Sequence, residues 1–199
     1  MRLPTFIKTF LSRTQVNTFR YKNFDLSVFI NGSYGNKVYN YLSMKLTHMN
    51  SPWTNQLNAV NGRAQLVPIN PNKVYEDGTM WYNDVSNVMV ANPGASIPRA
   101  TINDPNDNDR ISDRYIEDGS YIRLKNISLG YTFPKKTIDK LGLSNLRIYA
   151  NIQNLLTITG YDGYDPEIGA STSSVNVYGL DNGRYPSPTV YSFGLNVSF

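Results

Sequence analysis

The sequence predicts an all-β fold, namely the C-terminal part of a transmembrane antiparallel β-barrel with about five strands and long extracellular loops. Three observations support this fold class: a final strand of alternating polarity, long connections that alternate with short ones, and a composition with 13% aromatic but only 17% charged residues. In the final segment, apolar side chains occupy every odd position from Tyr191 to Phe199. Because side chains of a strand alternate between its faces, lipid can cover the apolar face and a wet lumen the polar one.

The first strands are predicted near the N-terminus. Residues 17–21 have the pattern of a strand end, a polar two-residue turn follows, and residues 24–34 alternate in polarity over the length that a tilted membrane strand needs, about 9–11 residues. Residues 37–116 show no sustained alternation, and within them residues 38–49 have the spacing of a short helix. A connection this long is rare in a compact domain but common on the outer side of a large barrel.

The second half of the chain predicts three further strands. Residues 120–133 alternate, but the phase slips near Lys125, where either a β-bulge restores one apolar face or the first part of the strand projects beyond the membrane. The remaining elements follow in order: a connector over 134–145 with a helical turn at 137–141, a strand over 146–155, a second long loop over 157–187 and the final strand over 189–199.

The alternation of connections predicts the direction of each strand. If the long loops are extracellular, residues 24–34 and 146–155 run outward, whereas residues 120–133 and the final strand run inward. This orientation predicts a periplasmic C-terminus.

Composition excludes several functional classes. The absence of cysteine excludes thiol catalysis, disulfides and zinc–thiolate sites, and the single histidine, His48, is interpreted as an incidental loop residue. A net charge of +4 with scattered basic residues indicates no nucleic-acid partner. The acidic run 104–109 lacks the Gly and Glu that an EF-hand loop needs, so it is interpreted as a solvated loop. We therefore expect no enzymatic activity, no cofactor and no bound metal.

The N-terminus predicts a domain boundary. Residues 1–16 form an atypical segment whose apolar stretch is short and interrupted by Lys8, unlike a signal peptide. Residues 17–199 are predicted to form the barrel portion.

Several motifs in residues 17–199 resemble the C-terminal barrel of the SusC/RagA family of TonB-dependent outer-membrane transporters. The most specific is S-D-R-Y-I-E-D-G-S-Y-I-R-L-K-N at 112–126, followed by L-G-Y at 129–131. The others, in the same order as in the family, are Y-K-N-F-D-L-S-V-F from Tyr21, L-R-I-Y from Leu146 with Q-N-L from Gln153, G-Y-D-G-Y-D-P-E from Gly160, and the terminal Phe199.

The resemblance implies a location in the outer membrane of a Gram-negative-type bacterium and the import of oligosaccharides, peptides or other large nutrients. It implies four partners: a SusD-like surface lipoprotein, TonB acting through a plug domain, the outer-membrane assembly machinery and the lipid bilayer. The family pattern includes a plug domain and a TonB box that these 199 residues do not contain. Transport is therefore expected of a whole family protein.

Aromatic and acidic side chains in the two long loops are candidates for substrate binding. Aromatic faces can stack on ligand rings and carboxylates can bind hydroxyl groups; the candidates are Trp53, Trp81, Tyr161, Asp162, Tyr164 and Asp165. The alternative is that these residues hold the loops together, and this structural role is the more common one. Four residues of the last strand match the signal by which the assembly machinery recognises barrel proteins: Tyr191, Phe193, Val197 and Phe199.

Three other classes remain open. A truncated remnant without transport activity is consistent with the missing plug. A secreted carbohydrate-binding β-sandwich would show a signal peptide and a turn every 8–12 residues or so, and the sequence shows neither. A hydrolase would need an acid/base pair of carboxylates, whose separation nothing in the sequence fixes. A binding module or an enzyme would stay soluble without detergent, whereas a barrel segment would not.

Overall fold

A computed structural model describes residues 11–104, 106–168 and 179–199. In chain order, its strands and helices are β1 (Leu11–Tyr21), β2 (Phe24–Tyr34), β3 (Lys37–Asn40), α1 (Tyr41–Thr47), β4 (Leu66–Pro68), β5 (Val88–Val90), β6 (Ile116–Asp118), β7 (Tyr121–Thr132), α2 (Lys135–Ile138), β8 (Asn145–Thr159), β9 (Leu180–Asp181) and β10 (Val190–Ser198). The chain divides into two compact units. The first unit comprises the described residues up to Asn40 and from Ile116 onward, and the second unit comprises residues 41–115.

The first unit is built on a five-stranded sheet in the order β1-β2-β7-β8-β10. Each neighbouring pair is antiparallel. The predicted strand 24–34 is confirmed, and the other predicted strands agree with the structure apart from their ends. Residues 11–16 belong to the segment predicted to be atypical, but they form the first half of β1 and pair with β2 in unbroken register.

The predicted β-bulge near Lys125 is confirmed. Phe29 pairs with Asn126 and Ile30 with Leu124, so Lys125 is the extra residue between two paired positions of β7. The pairing of β7 with β8 shifts at the same place, and there Asn154 adopts a positive φ of 52°. Asn tolerates this conformation better than most residues, which explains its place in the strand.

The bulge keeps one face of β2, β7 and β8 apolar along their length. In three successive rows on one side of the bulge, the residues on this face are Tyr21, Phe24, Tyr131, Ile148 and Leu195; Phe19, Leu26, Leu129, Ala150 and Phe193; and Asn17, Val28, Ile127, Ile152 and Tyr191. On the other side of the bulge the face continues with Ile30, Leu124 and Leu156. Many of these side chains are exposed, and Phe193 is 84% exposed. An exposed apolar face of this extent matches the lipid-facing side of a membrane barrel.

The opposite face is mostly polar, with Val16, Phe29 and Val190 as apolar residues of one row. A row of small polar side chains crosses the whole sheet: Thr18, Ser27, Ser128, Asn151 and Ser192. Such residues suit the wet interior of a barrel.

The predicted helix over residues 38–49 is wrong in its first part. Residues 37–40 form β3, which pairs antiparallel with β6 and parallel with β9, and the helix α1 begins only at Tyr41. The side chain of Val38 is 1% exposed, so burial in this small sheet outweighs the helical spacing. The predicted helical turn at 137–141 is confirmed as α2 followed by a 3₁₀ turn over Asp139–Leu141.

The second unit, residues 41–115, is not a structureless loop. It contains α1, the antiparallel pair β4–β5 and several 3₁₀ turns. Side chains replace regular backbone pairing in much of it: Asn87, which is buried, donates to the carbonyl oxygen of Asn70 and to the Tyr75 hydroxyl. Among the residues that the structure describes, no helix is long and apolar enough to cross a membrane.

We expect Gly32→Ala to destabilise the sheet. A Cβ at this position of β2 would lie 2.7 Å from the backbone carbonyl oxygen of Tyr121, and backbone cannot move aside cheaply. The free energy of unfolding should fall by about 1–3 kcal/mol, measured by urea titration in detergent micelles with circular dichroism.

Gly160→Ala is the matched control, because a Cβ there meets nothing within 4 Å. The free energy of unfolding of this variant should differ from that of the unmodified protein by no more than about 0.5 kcal/mol. Equal stability of the two variants would contradict the close approach of Gly32 in β2 to the Tyr121 backbone in β7.

Candidate functional site

The segment after β8 is attached to the sheet by a cluster of charged side chains, here called the Arg123 cluster: Arg123, Lys125, Asp165 and Glu167. Arg123 Nη2 lies 2.5 Å from Asp165 Oδ1, and its Nη1 lies 2.7 Å from Glu167 Oε2. Lys125 Nζ lies 2.5 Å from Glu167 Oε1. The bulge directs Lys125 toward Glu167, the carboxylate that Arg123 also contacts. This irregularity of β7 therefore helps to attach the loop after β8 to the sheet.

Asp165 is the buried anion of the Arg123 cluster, with 3% of its surface exposed. Besides Arg123, it accepts hydrogen bonds from the backbone N–H groups of Glu167 and Ser187, at 2.9 and 3.0 Å. Burial alone would raise the pKa of Asp165, but these hydrogen bonds outweigh it and hold the pKa below its usual value. Arg123 is also 3% exposed and donates from Nε to Thr157 Oγ1 at 2.8 Å.

A second buried contact joins Tyr161 to Asp181. The tyrosine hydroxyl donates to Asp181 Oδ2 at 2.6 Å, and the other carboxylate oxygen accepts from the N–H groups of Gly183 and Arg184. Burial, followed by the neighbouring carboxylate of Asp181, raises the pKa of Tyr161 far above its usual value. Tyr161 is therefore a neutral hydrogen-bond donor inside the loop.

Glu117 and Asp118 lie in β6 and connect it with β3 and with the loop after β8. Glu117 accepts from the side-chain amide of Asn40 at 2.9 Å and from the backbone N–H of Asp162 at 3.1 Å. Hydrogen bonds from Ser120, followed by one from Lys37, lower the pKa of Asp118 to about 2. These contacts give the acidic pair a structural role at the start of β7.

The structure divides the six candidate substrate-binding residues between the two units. Tyr161 and Asp165 turn their side chains into the loop, whereas Asp162 is exposed and Tyr164 is 63% exposed. In the second unit, Trp53 is 92% exposed, and the half-buried Trp81 lines an open groove of about 830 Å³. Substrate binding by these six residues stays a prediction.

The groove of the second unit, here called the arginine groove, is also lined by Arg63, Gln65, Tyr82 and Arg99. Sequence reasoning found Trp81 but missed both arginines. They are separated by more than thirty positions in the sequence, and the parallel bridge between Arg63 and Ile97 brings the two segments together.

His48 lies close to two carboxylates of the acidic run. Its Nε2 lies 3.1 Å from Asp104 Oδ2 and its Nδ1 lies 4.0 Å from Asp109 Oδ2. Asp104 also accepts from the side-chain amide of Asn108 at 2.6 Å and from the Asn108 backbone N–H. Three such side chains have the chemistry of metal ligands, but here the oxygens of Asp104 hold the loop, so His48 is a structural partner of the loop rather than an incidental residue.

Two glycines let large side chains lie across the polar face of the sheet. Arg147 passes over Gly130 to reach Asp25, with its Nη2 2.6 Å from Oδ2 and its Nε 3.2 Å from Oδ1. The ring of Tyr149 occupies the space above Gly194. The guanidinium of Arg147 lies 5.2 Å from the centre of that ring.

The four residues of the predicted assembly signal are exposed. Tyr191, Phe193 and Val197 lie on the apolar face of β10, and Phe199 follows the strand with 92% of its surface exposed. Their recognition by the assembly machinery stays a prediction.

We expect Asp165→Asn to loosen the segment after β8. The variant removes the buried carboxylate beside Arg123 and leaves Glu167 as the remaining anion, so we expect a cost of about 1–3 kcal/mol. Hydrogen exchange measured by mass spectrometry should become faster in residues 160–168 and 179–187.

Asp162→Asn is the matched control, since it removes the same charge from an exposed side chain of the same loop. Its exchange should equal that of the unmodified protein. Equal exchange in Asp165→Asn would show that the buried ion pair does not hold the loop.

We also expect the loop to loosen in acid. The pKa of Asp165 is lower in the folded protein than in the unfolded chain, so its contribution to stability is complete above the unfolded value, about 4. The contribution is lost as the pH falls through the folded pKa. Exchange of residues 160–168, corrected for intrinsic rates, should rise below about pH 4. An equal rise in Asp165→Asn would assign the effect to another group.

Comparisons with known proteins were made by sequence and by fold. No family model matches the sequence. TonB-dependent receptor P3 of Formosa agariphila is 35% identical over 188 residues, which cover 92% of this chain and 16% of that receptor. TonB-dependent receptor P26 of the same organism is 32% identical over 191 residues, and TonB-dependent receptor SusC of Bacteroides thetaiotaomicron is 36% identical over 93 residues, 46% of this chain and 8% of SusC.

Solved structures show the same fold. A chain of the RagAB peptide transporter matches with a TM-score of 0.61 and 20% identity over 89% of this chain and 16% of the other. A chain of the RagAB peptide importer in its closed-closed state matches with a TM-score of 0.60 and 19% identity, over 92% of this chain and 17% of the other.

The relatives named above are all receptors, which agrees with the prediction that the chain is not an enzyme. The chain spans about one sixth of the length of receptor P3. The motifs, the five-stranded sheet and the similarity over nearly the whole sequence lead to one conclusion: the chain is homologous to part of the TonB-dependent receptors, with SusC among its relatives.

Proposed function

We propose that these residues are part of a TonB-dependent transporter that imports large nutrients across the outer membrane of a Gram-negative-type bacterium. The observation that carries the proposal is the sheet itself, which has one apolar, exposed face and one mostly polar face. The relatives of the chain, which are TonB-dependent receptors, support the same proposal. A soluble sandwich would cover the apolar face with a second sheet, and the structure describes no such layer over residues 11–40 and 116–168.

The two edges of the sheet support a larger assembly. Within the described ranges, β1 pairs only with β2 and β10 only with β8, so each edge strand has one side without a partner. Unpaired backbone N–H and C=O groups are not tolerated in hydrocarbon. In the proposed transporter, further strands continue the sheet from both edges and close the barrel.

The connections support an orientation. β1 and β2 are joined by a tight turn, and β7 and β8 by α2 and one further turn, both at the same end of the sheet. The longer segments leave from the opposite end. We place the short turns and the C-terminus in the periplasm and the second unit outside the cell.

The proposed partners follow from the family. Import would draw energy through TonB, which acts on a plug domain, and a SusD-like lipoprotein would cover the outer opening. Exposed apolar side chains of the second unit, including Trp53 at 92% and Val85 at 90%, are consistent with contact to such a partner. The assembly machinery would recognise the last strand together with Phe199, which follows it.

The first test is location. An antibody against residues 157–187 should detect the protein in the outer-membrane fraction, resistant to extraction with alkaline carbonate. Recovery in a soluble fraction would contradict the proposal, because an exposed apolar sheet of this kind requires lipid.

The second test is uptake. Deletion of the coding region for residues 17–199 should abolish growth on at least one class of oligosaccharide or peptide supplied as sole carbon source. Growth on monosaccharides and free amino acids should be unchanged, since these do not need a large energised transporter. A protonophore should block uptake in the unmodified strain. Unchanged growth on every oligosaccharide and peptide would indicate a remnant without transport activity.

A further inference from the structure

We propose that the arginine groove of the second unit binds an anionic oligosaccharide, whose carboxylate or sulfate groups pair with Arg63 and Arg99. This inference rests on the proposed transport function and adds to it a class of substrate and a place of binding. The supporting observations are the charge of the groove, its aromatic wall, its amide side chains and its size.

The charge of the groove is unbalanced. Both arginines are half-buried and line the groove, and no carboxylate lines it with them. Neither arginine forms an ion pair within the described residues, in contrast to Arg123 and Arg147, each of which pairs with an aspartate. A guanidinium has five N–H donors, and Arg63 uses one of them on the carbonyl oxygen of Val60 at 3.3 Å. The remaining donors suit an anion that accepts two parallel hydrogen bonds, as a carboxylate or a sulfate group does.

The backbone around Arg63 is held in place. Ala64 N–H donates to the carbonyl oxygen of Ile97 at 2.9 Å, which ties the Arg63 segment to the segment before Arg99. The side chain of Asn92 donates to the Arg63 carbonyl oxygen at 2.8 Å and accepts from Gln65 N–H at 2.8 Å. One asparagine therefore fixes the backbone at two groove residues, Arg63 and Gln65, so the groove is formed before any ligand binds.

The aromatic wall consists of Trp81 and Tyr82, which lie in one 3₁₀ turn. Their ring centres are 5.7 Å apart and their planes meet at 80°. Two rings at this angle present surfaces in two directions, so that one can stack on a pyranose ring while the other closes the side of the groove. Aromatic side chains in such positions supply much of the contact area in ligand sites.

The remaining polar groups of the groove favour a ligand rich in hydroxyls. Side-chain amides of Gln65, Asn83 and Asn103 line it, and each offers both donors and an acceptor. Its volume, about 830 Å³, lies within the range of small-molecule sites, about 300–1,000 Å³. A neutral sugar would use the amides and the rings but would leave both guanidiniums without an anion. An acidic sugar uses all three kinds of group.

The test compares two probes that differ only in charge. A short oligogalacturonate carries a carboxylate on every sugar, and its fully methyl-esterified form has the same backbone without the charges. With the receptor that contains these residues purified in detergent, calorimetry should show binding of the acid and at least about tenfold weaker binding of the ester. Equal affinity for the two probes would overturn the proposal, and this comparison needs no variant protein.

The variants locate the site. Arg63→Gln and Arg99→Gln should each weaken binding of the acid by about tenfold, because each removes charge-assisted hydrogen bonds. Arg110→Gln is the matched control, since it removes an exposed arginine of the same unit outside the groove. Its affinity should be unchanged. Unchanged affinity in Arg63→Gln and Arg99→Gln, with circular dichroism showing a folded sheet, would also overturn the proposal.

A third probe separates the ligand classes. A short oligoglutamate carries carboxylates on a peptide backbone, and it should bind more weakly than the oligogalacturonate. Tighter binding of the peptide would overturn the assignment to a saccharide. Binding of the oligogalacturonate without any energised uptake by cells would leave this inference intact and contradict the proposed transport function instead.

Discussion

Backbone hydrogen bonding across the five strands is the constraint on which the rest of the structure depends. Hydrocarbon offers no partners to N–H and C=O groups, so the pairing must hold along the whole sheet. The register then decides which side chains meet lipid, because a shift by one residue would move every apolar side chain to the other face. β7 meets this requirement with its bulge at Lys125, which corrects the phase between Leu124 and Ile127. The same bulge sends the lysine side chain to Glu167, so the device that preserves the apolar face also contributes to the attachment of a loop.

The loop after β8 is held by buried charge rather than by an apolar core. Arg123 and Asp165 are each 3% exposed, and Tyr161 and Asp181 form a second buried contact nearby in the chain. Removing charges from water is costly, and the cost is offset only when each group finds its partners, as Asp165 does with one guanidinium and two backbone N–H groups. This requirement explains three residues of the motif at 160–167 without any reference to substrate: Tyr161, Asp165 and Glu167 hold the loop through their side chains.

Local sequence pattern was sufficient to predict the sheet but not the loops. The strand over 24–34 and the bulge at Lys125 follow from alternation of polarity, a signal that each strand carries by itself. Residues 38–40 carried a helical spacing, yet they form a strand because partners from 116–118 and 180–181 lie beside them. The contact between Arg123 and Asp165 spans 42 positions, and nothing near either residue specifies the other. The arginine groove could not be predicted from the sequence for the same reason, since its two arginines come from separate segments.

The chain enters and leaves the second unit through one pair of neighbouring strands. Residue 40 ends β3, residue 116 begins β6, and Tyr39 pairs directly with Ile116. The second unit is therefore an insertion whose two ends are adjacent, because they follow and precede two hydrogen-bonded strands of the first unit. Evolution can exchange such an insert whole, by recombination at its two adjacent ends, without altering the register of any long strand. If the second unit binds substrate as proposed, such an exchange would change the imported nutrient while the five-stranded sheet stays the same.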